Sequence, residues 1–190
     1  MKVTGFFLLC IFSLFMQGCD SKAADKDHTI ETQLYDYDVE QKLASLGIEL
    51  KEPKPYKGVP IEHYVLVDNM IYLSGKGPVT ASGERITGKL GIDLSIEEGR
   101  EAARRIAISQ LEVIKSVTGD LNKVKRVVKV LGMVNSGPDF IDQPKVINGF
   151  SDLMIEAFGD RGRHARSAVG MASLPSNIAC EIEAIIEIEN

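Results

Sequence analysis

Downstream of Pro175, Ile178, Cys180, Ile182, Ala184, Ile186 and Ile188 share one parity, and Glu181, Glu183, Glu187 and Glu189 share the other. A period of two with the acids segregated describes a β-strand that buries one face and wets the other. Leu174-Pro175 separates this strand from an earlier extended run that starts at Arg166, because proline cannot donate to a central ladder. Arg166 therefore opens one extended segment and Glu181 lies early in the next. If the Leu-Pro turn folds the two segments together, a fixed cation and a carboxylate face one site.

The rest of the chain supplies layers to cover such a strand. Val39, Leu43 and Leu46 at helical spacing, closed by Gly47, predict a short helix over 38–46. A loop rich in Pro and Gly follows (Pro53, Pro55, Gly58, Pro60). Residues 63–67 and 70–73 read as two strands around a tight turn at Asp68-Asn69, and Ser74-Gly75-Lys76-Gly77-Pro78 ends the second. Ser95 and Glu98 form a capping-box pattern ahead of a long helix. Its stripe is Ala103, Ile106, Ala107, Gln110, Leu111, Ile114 and Val117, stopped by Gly119. Arg100, Arg104, Arg105 and Lys115 fall off that stripe and read as a solvated face. The β-branched run 124–134 predicts a strand. A second long helix begins near Asp142-Gln143-Pro144, with stripe Val146, Phe150, Leu153, Met154 and Ala157 and an end at Gly159. Two long helices over one face of a mixed sheet make the expected fold class α+β.

The first residues stand apart. Lys2 precedes an apolar run from Phe6 to Met16, too short for a stable bilayer-spanning helix and laid out as a secretory signal. Met16-Gln17-Gly18-Cys19 resembles a bacterial lipobox, which implies cleavage before Cys19 and lipidation of its sulfur. The expected division is a lipoprotein-type signal peptide over 1–18, a flexible tether over 19–36 and one folded domain over 37–190. The expected location is outside the cytoplasm, on a membrane-anchored lipoprotein facing the periplasm or cell exterior. Cys180, on the buried parity, is then the one thiol left, and no disulfide framework exists.

Several function classes lose support. The net charge of −5 argues against a nucleic-acid-binding surface as a global property, although Arg161, Arg163, His164 and Arg166 form one basic loop. Gly75-Lys76-Gly77 and Gly88-Lys89-Leu90 lack the Lys-Ser/Thr pair of a phosphate loop. Three His and one remaining Cys show no ligand spacing, so no metal site is expected.

The spacing Arg-Ser-x-Val-x-x-x-x-Leu-Pro-x-x-x-x-x-Glu-Ile-Glu-Ala, from Arg166 to Ala184, resembles the C-terminal signature of the Rid (YjgF) superfamily of enamine/imine deaminases. Stretches 129–135, 143–149 and 162–170 are closest to its longer bacterial branch, labelled YjgF/chorismate-mutase-like endoribonucleases. The resemblance implies a chorismate-mutase-like homotrimer with pockets at the subunit interfaces, and no cofactor. It also implies hydrolytic deamination of small 2-imino acids to 2-oxo acids and ammonia. Arg166 would hold the carboxylate in a two-point fork. Glu181 would activate water. Ser74, Gly75 and Asn148 would position the substrate. Two departures stand out: Lys76 replaces the family's usual Gln, and the pocket Tyr upstream of the first strand has no ungapped counterpart, leaving Tyr56 or Tyr64 to serve. A non-enzymatic small-carboxylate binder or chaperone-like trimer is the alternative. An endoribonuclease, for which His164 is the candidate imidazole, is a lesser one.

Overall fold

The computed structural model describes residues 33–189. The expected signal peptide, Cys19 and the expected tether as far as Thr32 lie outside the described residues; at the tether's far end Tyr35 is instead buried in the core, its hydroxyl donating to Val124 O. Among those described, no helix is long and apolar enough to cross a membrane.

Helix α1 (Val39–Ser45) is capped by the Asp38 carboxylate, which accepts from Gln41 N–H. Strands β1 (Tyr64–Val67) and β2 (Met70–Lys76) form the expected hairpin, with Asp68 in the left-handed region at its turn. Helix α2 (Ile96–Thr118) starts in the complete Ser95/Glu98 capping box and ends at Gly119, whose φ of 71° few other residues tolerate. Strand β3 (Val124–Asn135), helix α3 (Gln143–Phe158), strand β4 (Ala165–Met171) and strand β5 (Cys180–Ile188) complete the chain.

The sheet order is β1-β2-β5-β3-β4. β5 enters between β2 and β3, antiparallel to both, and the apolar parity read from the sequence is its buried face: Cys180, Ile182 and Ile186 are fully buried. β4 pairs parallel with the outer side of β3, a geometry that needs a crossover, and α3 supplies it. Because β3 stands between them, β4 and β5 do not pair. The Leu-Pro segment is therefore no hairpin turn, and the expectation that it brings Arg166 and Glu181 to one site within a chain is corrected.

Both long helices lie on the same sheet face, α2 against β2 and β5 and α3 against β3 and β4. Gln110, within the α2 stripe, is fully buried because its amide donates to Ile182 O at 2.6 Å. Arg100 and Arg104 are not a free solvated face. They pair with Asp152 and Glu156 of α3, each at 2.9 Å, and Lys115 pairs with Glu40 of α1. The other sheet face is bare, with Val65 58% and Val67 50% exposed. There Tyr72, Lys129, Leu131, Ser167, Glu183 and Ile185 line a hollow of about 320 Å³.

The two helices touch backbone to backbone at Gly149, where a Cβ would lie 2.0 Å from Arg100 O. No rotamer relieves a clash with a helix carbonyl. Gly149→Ala should therefore cost about 1–3 kcal/mol of stability through overpacking. The check is a lower urea midpoint at unchanged slope; an unaltered midpoint would mean that the helices separate freely there.

Candidate functional site

The predicted site residues fall into two groups. The first gathers around Arg166 at the outer edge of the sheet. Arg166 pairs with Val130, whose other partner Ala184 is buried, so its side chain leaves β4 on the helix side. Its Nη1 donates to Asn148 Oδ1 at 2.9 Å and to Ser151 Oγ at 3.0 Å, and its Nη2 to Pro144 O at 3.4 Å. Pro144, Asn148 and Ser151 recur at intervals of four and three, one face of α3. All three acceptors are neutral, and Arg166 makes no ion pair among the described residues. Burial lowers its pKa, opposed by the Asp152 charge. A guanidinium stays protonated in such a setting, so the cradle holds a positive charge that none of its three acceptors cancels.

Behind this cradle lies a relay that the sequence reading missed. His164 Nδ1 is 2.7 Å from Gly162 O, which can only accept, so the proton sits on Nδ1. Nε2, 2.9 Å away, is then left to accept from Ser151 Oγ–H. Ser151 thereby turns its lone pairs toward Arg166. The one sequence signal for the relay is spacing, Asn148-x-x-Ser151 on one helix face and His164-x-Arg166 running from the loop into β4, and spacing alone does not say that the two pairs meet.

The second group sits at the end of β2. Glu181 points to the bare sheet face, opposite in parity to buried Ile182, and its carboxylate lies across Gly75. A Cβ on Gly75 would come within 2.2 Å of Glu181 Oε1, so glycine is what admits the carboxylate. Burial raises the Glu181 pKa, and the Glu183 charge raises it further. Ser74 Oγ donates to Glu62 O at 2.6 Å, which leaves its hydroxyl only lone pairs to offer a ligand.

Of the two tyrosines, Tyr56 is the one beside this group. Burial raises its phenol pKa and the charge of Glu181 adds to the effect, whereas Tyr64 is a β1 residue paired with Leu73. Lys76 pairs with Ile182 and so lies on the helix side, away from Glu181. Its Nζ sits 3.2 Å from His63 Nδ1 and 5.7 Å from the centre of the Tyr56 ring. Burial lowers its pKa against the opposing charge of Glu112. His63 Nε2 is held by Lys54 O at 2.8 Å. Both ring nitrogens of His63 and of His164 are thus engaged within the chain. Cys180 is fully buried, and burial pushes its thiol up to about 12, which suits packing and not nucleophilic attack. Among the described residues no group of three or more His, Cys, Asp or Glu is placed to hold a metal ion.

Arg166 with Asn148, and Glu181 with Ser74 and Gly75, are therefore two clusters on different strands and opposite sheet faces, separated by β3. A family model described as "YjgF/chorismate mutase-like, putative endoribonuclease" matches residues 40–188, a span that contains both clusters. The chain belongs to this YjgF family. It is 42% identical over 152 residues to Protein TCP17 of Trypanosoma cruzi, covering 78% of this chain and 92% of that one. It is 33% identical over 131 residues to a 2-iminobutanoate/2-iminopropanoate deaminase of Dermatophagoides farinae, covering 68% and 87%. Among solved structures it resembles the Agrobacterium tumefaciens protein Atu1372, with 39% identity and a TM-score of 0.72 over 80% of this chain and 94% of that one. The YjgF fold is thus shared by a family described as endoribonucleases and by an imine deaminase, so the site has to carry the functional argument.

The relay has a definite pH signature. Burial lowers the His164 pKa below the ordinary 6.5, the Gly162 hydrogen bond opposes this, and the Arg166 charge lowers it further. The unfolded chain takes up this proton at its ordinary pKa, before the native one does. His164 accordingly costs native stability as pH falls from about 6.5 towards its depressed native value. In a proton NMR titration the His164 ring should titrate below 6.5, and Arg166→Ala should move it up. A pKa unmoved by that substitution would disconnect the two side chains.

Proposed function

We propose that this protein hydrolyses small 2-imino acids, or their enamine tautomers, to 2-oxo acids and ammonia, in pockets shared between copies of the chain. The observation that carries the reading is the Arg166 cradle: a guanidinium oriented by three neutral oxygens and paired with no carboxylate. Such a cation is pre-aimed for an anionic ligand, and its planar fork matches a carboxylate at two points. The 33% identity to an imine deaminase supports the same class of substrate.

The chemistry follows from the two clusters. Arg166 holds the substrate carboxylate, leaving the electrophilic C=N carbon beyond it. Glu181 of a neighbouring copy takes a proton from water as the oxygen adds to that carbon, and its raised pKa suits a base working near neutrality. The nitrogen receives that proton to give the carbinolamine. The adduct's hydroxyl then passes its remaining proton through Glu181 to the nitrogen as the C–N bond breaks and the C=O bond forms, so both protons of water leave with ammonia. Asn148 keeps Arg166 in place through Oδ1, with its Nδ2 free for the substrate. The backbone at Gly75 and the lone pairs of Ser74 complete the Glu181 side.

Two features support sharing between copies. Arg166 and Glu181 lie on opposite faces of one sheet, and the bare face presents Val65, Val67, Tyr72 and Val169 to solvent. A homotrimer packed through that face would bury these side chains and bring one copy's Arg166 edge to another's Glu181 cluster. A membrane-anchored, exported form, held through Cys19, belongs to the same proposal and is tested by the mass of the mature N-terminus. Endoribonuclease activity finds no support in the two described imidazoles, since His63 and His164 are each held at both nitrogens.

The test is hydrolysis of freshly generated 2-iminobutyrate. Wild type should accelerate it, and Arg166→Ala and Glu181→Gln should each lose about 10²–10⁴-fold, the usual contribution of a positioned acid–base group. Co-expressing the two variants should restore activity that neither has alone. No acceleration by wild type, together with Arg166-dependent binding of 2-oxobutyrate, would leave a non-enzymatic carboxylate binder.

A further inference from the structure

A second cation without a carboxylate partner lies at the other end of β4. On the helix side of the sheet, at the C-terminal ends of the parallel strands β3 and β4, a cleft of about 610 Å³ opens among Lys89, Ile92, Ser136, Phe140, Gln143 and Met171. Its size and composition, mostly apolar with a few convergent polar groups, are those of a small-molecule pocket.

Lys89 supplies its charge. Nζ donates to Asn135 Oδ1 at 3.0 Å and to Ala172 O at 2.7 Å, both neutral, and keeps a third N–H. The post that holds it is rigid: Asn135 is fully buried, and its Nδ2 donates to Asn177 Oδ1 at 2.9 Å and Gly88 O at 3.4 Å. Neighbouring acids are occupied elsewhere. The Asp93 carboxylate accepts from the Lys89 backbone N–H at 2.9 Å, and that of Asp142 pairs with Lys145 at 3.0 Å.

Beside the ammonium, Ser136 is only 9% exposed, and its hydroxyl bonds to no other group among the described residues. That hydroxyl opens into the cleft and is free to donate there. Gln143 uses one Nε2–H on Phe140 O at 2.6 Å and retains the other. The floor is open because residue 170 is glycine: a Cβ there would stand 2.8 Å from Gln143 Nε2 and 3.0 Å from Ser136 Oγ. Donors from three separate segments thus converge over a vacant floor, with Ile92, Phe140 and Met171 as the wall.

We propose that this cleft binds a small monocarboxylate with a short apolar chain. The carboxylate lies on Lys89, Ser136 and Gln143, and the chain against Ile92, Phe140 and Met171. One cation and two neutral donors match a single negative charge, and a dianion would leave charge unmet. The site goes beyond the deaminase reading and stands without it, because Arg166 does not line the cleft.

Hexanoate is the probe, titrated into the purified full chain by calorimetry, with unfolding midpoints taken for every variant. Wild type should bind it saturably, and Arg166→Ala should leave that binding intact. Lys89→Met, which keeps the stem and removes the charge, should weaken it by about tenfold or more, the usual effect of losing a charged hydrogen bond. Gly170→Val should block the floor in a folded chain. Absence of saturable binding, affinity unchanged in Lys89→Met, or displacement of hexanoate by equimolar inorganic phosphate would each overturn the proposal. Binding lost in Arg166→Ala but kept in Lys89→Met would overturn it too, by assigning the acid to the Arg166 cradle.

Discussion

The insertion of β5 between β2 and β3 is the constraint on which the rest of the structure depends. A strand with two partners and one buried face leaves its neighbours little freedom of register, since a shift by one residue would turn Cys180, Ile182 and Ile186 to the other side. Both edges of β5 are thereby taken, by β2 and β3, so β4 has no edge on which to form a hairpin with it. β4 is left to the outer edge, reached by the α3 crossover, and that displacement sends Arg166 and Glu181 to different strands and faces. The incompleteness of either cluster within one chain is thus a consequence of topology.

The charges of the domain divide by what holds them. Arg100, Arg104, Arg105 and Lys125 are paired with carboxylates, mostly across elements, and being partly exposed each pair adds little to stability. Arg166 and Lys89 are held instead by carbonyl, amide and hydroxyl oxygens. Such acceptors fix direction without cancelling charge, so the field of the cation remains for something else. Lys76 is a third case. Burial works against its charge, and Nζ donates to His63 Nδ1 on the helix side of the sheet. Replacing the family's usual Gln by Lys at this position therefore adds no cation on the Glu181 face of the sheet.

Local order was legible where one period dominates. The alternation of β5, the α2 capping box and the α3 stripe appear in the structure where spacing puts them, because each is set by residues within a few turns of itself. The order of strands was not legible. Nothing in Leu174-Pro175 distinguishes a turn that pairs its flanking segments from one that carries the chain across β3. For the same reason Arg100 and Arg104 looked solvated: their partners Asp152 and Glu156 lie on another helix, and helix spacing records only what falls off a stripe. Asn148 stood out only through the family resemblance, since its place beside the α3 stripe reads as simple exposure. Its neighbours Ser151 and His164 stayed hidden because a helix hydroxyl and a loop imidazole acquire meaning only once Arg166 stands between α3 and β4.

The relay also shows how the Arg166 cradle can be held without a carboxylate. A carboxylate at position 151 would bind the guanidinium more strongly and cancel it; a lone hydroxyl could as readily turn its lone pairs elsewhere. His164, fixed by Gly162 O as the tautomer that accepts at Nε2, takes the Ser151 proton and leaves that oxygen facing Arg166 as an acceptor. Protonating His164 would reverse the polarity of the Ser151 contact and set a second positive charge beside the first. The same burial that keeps the imidazole neutral keeps the cradle oriented, so position and charge at Arg166 rest on one desolvated ring.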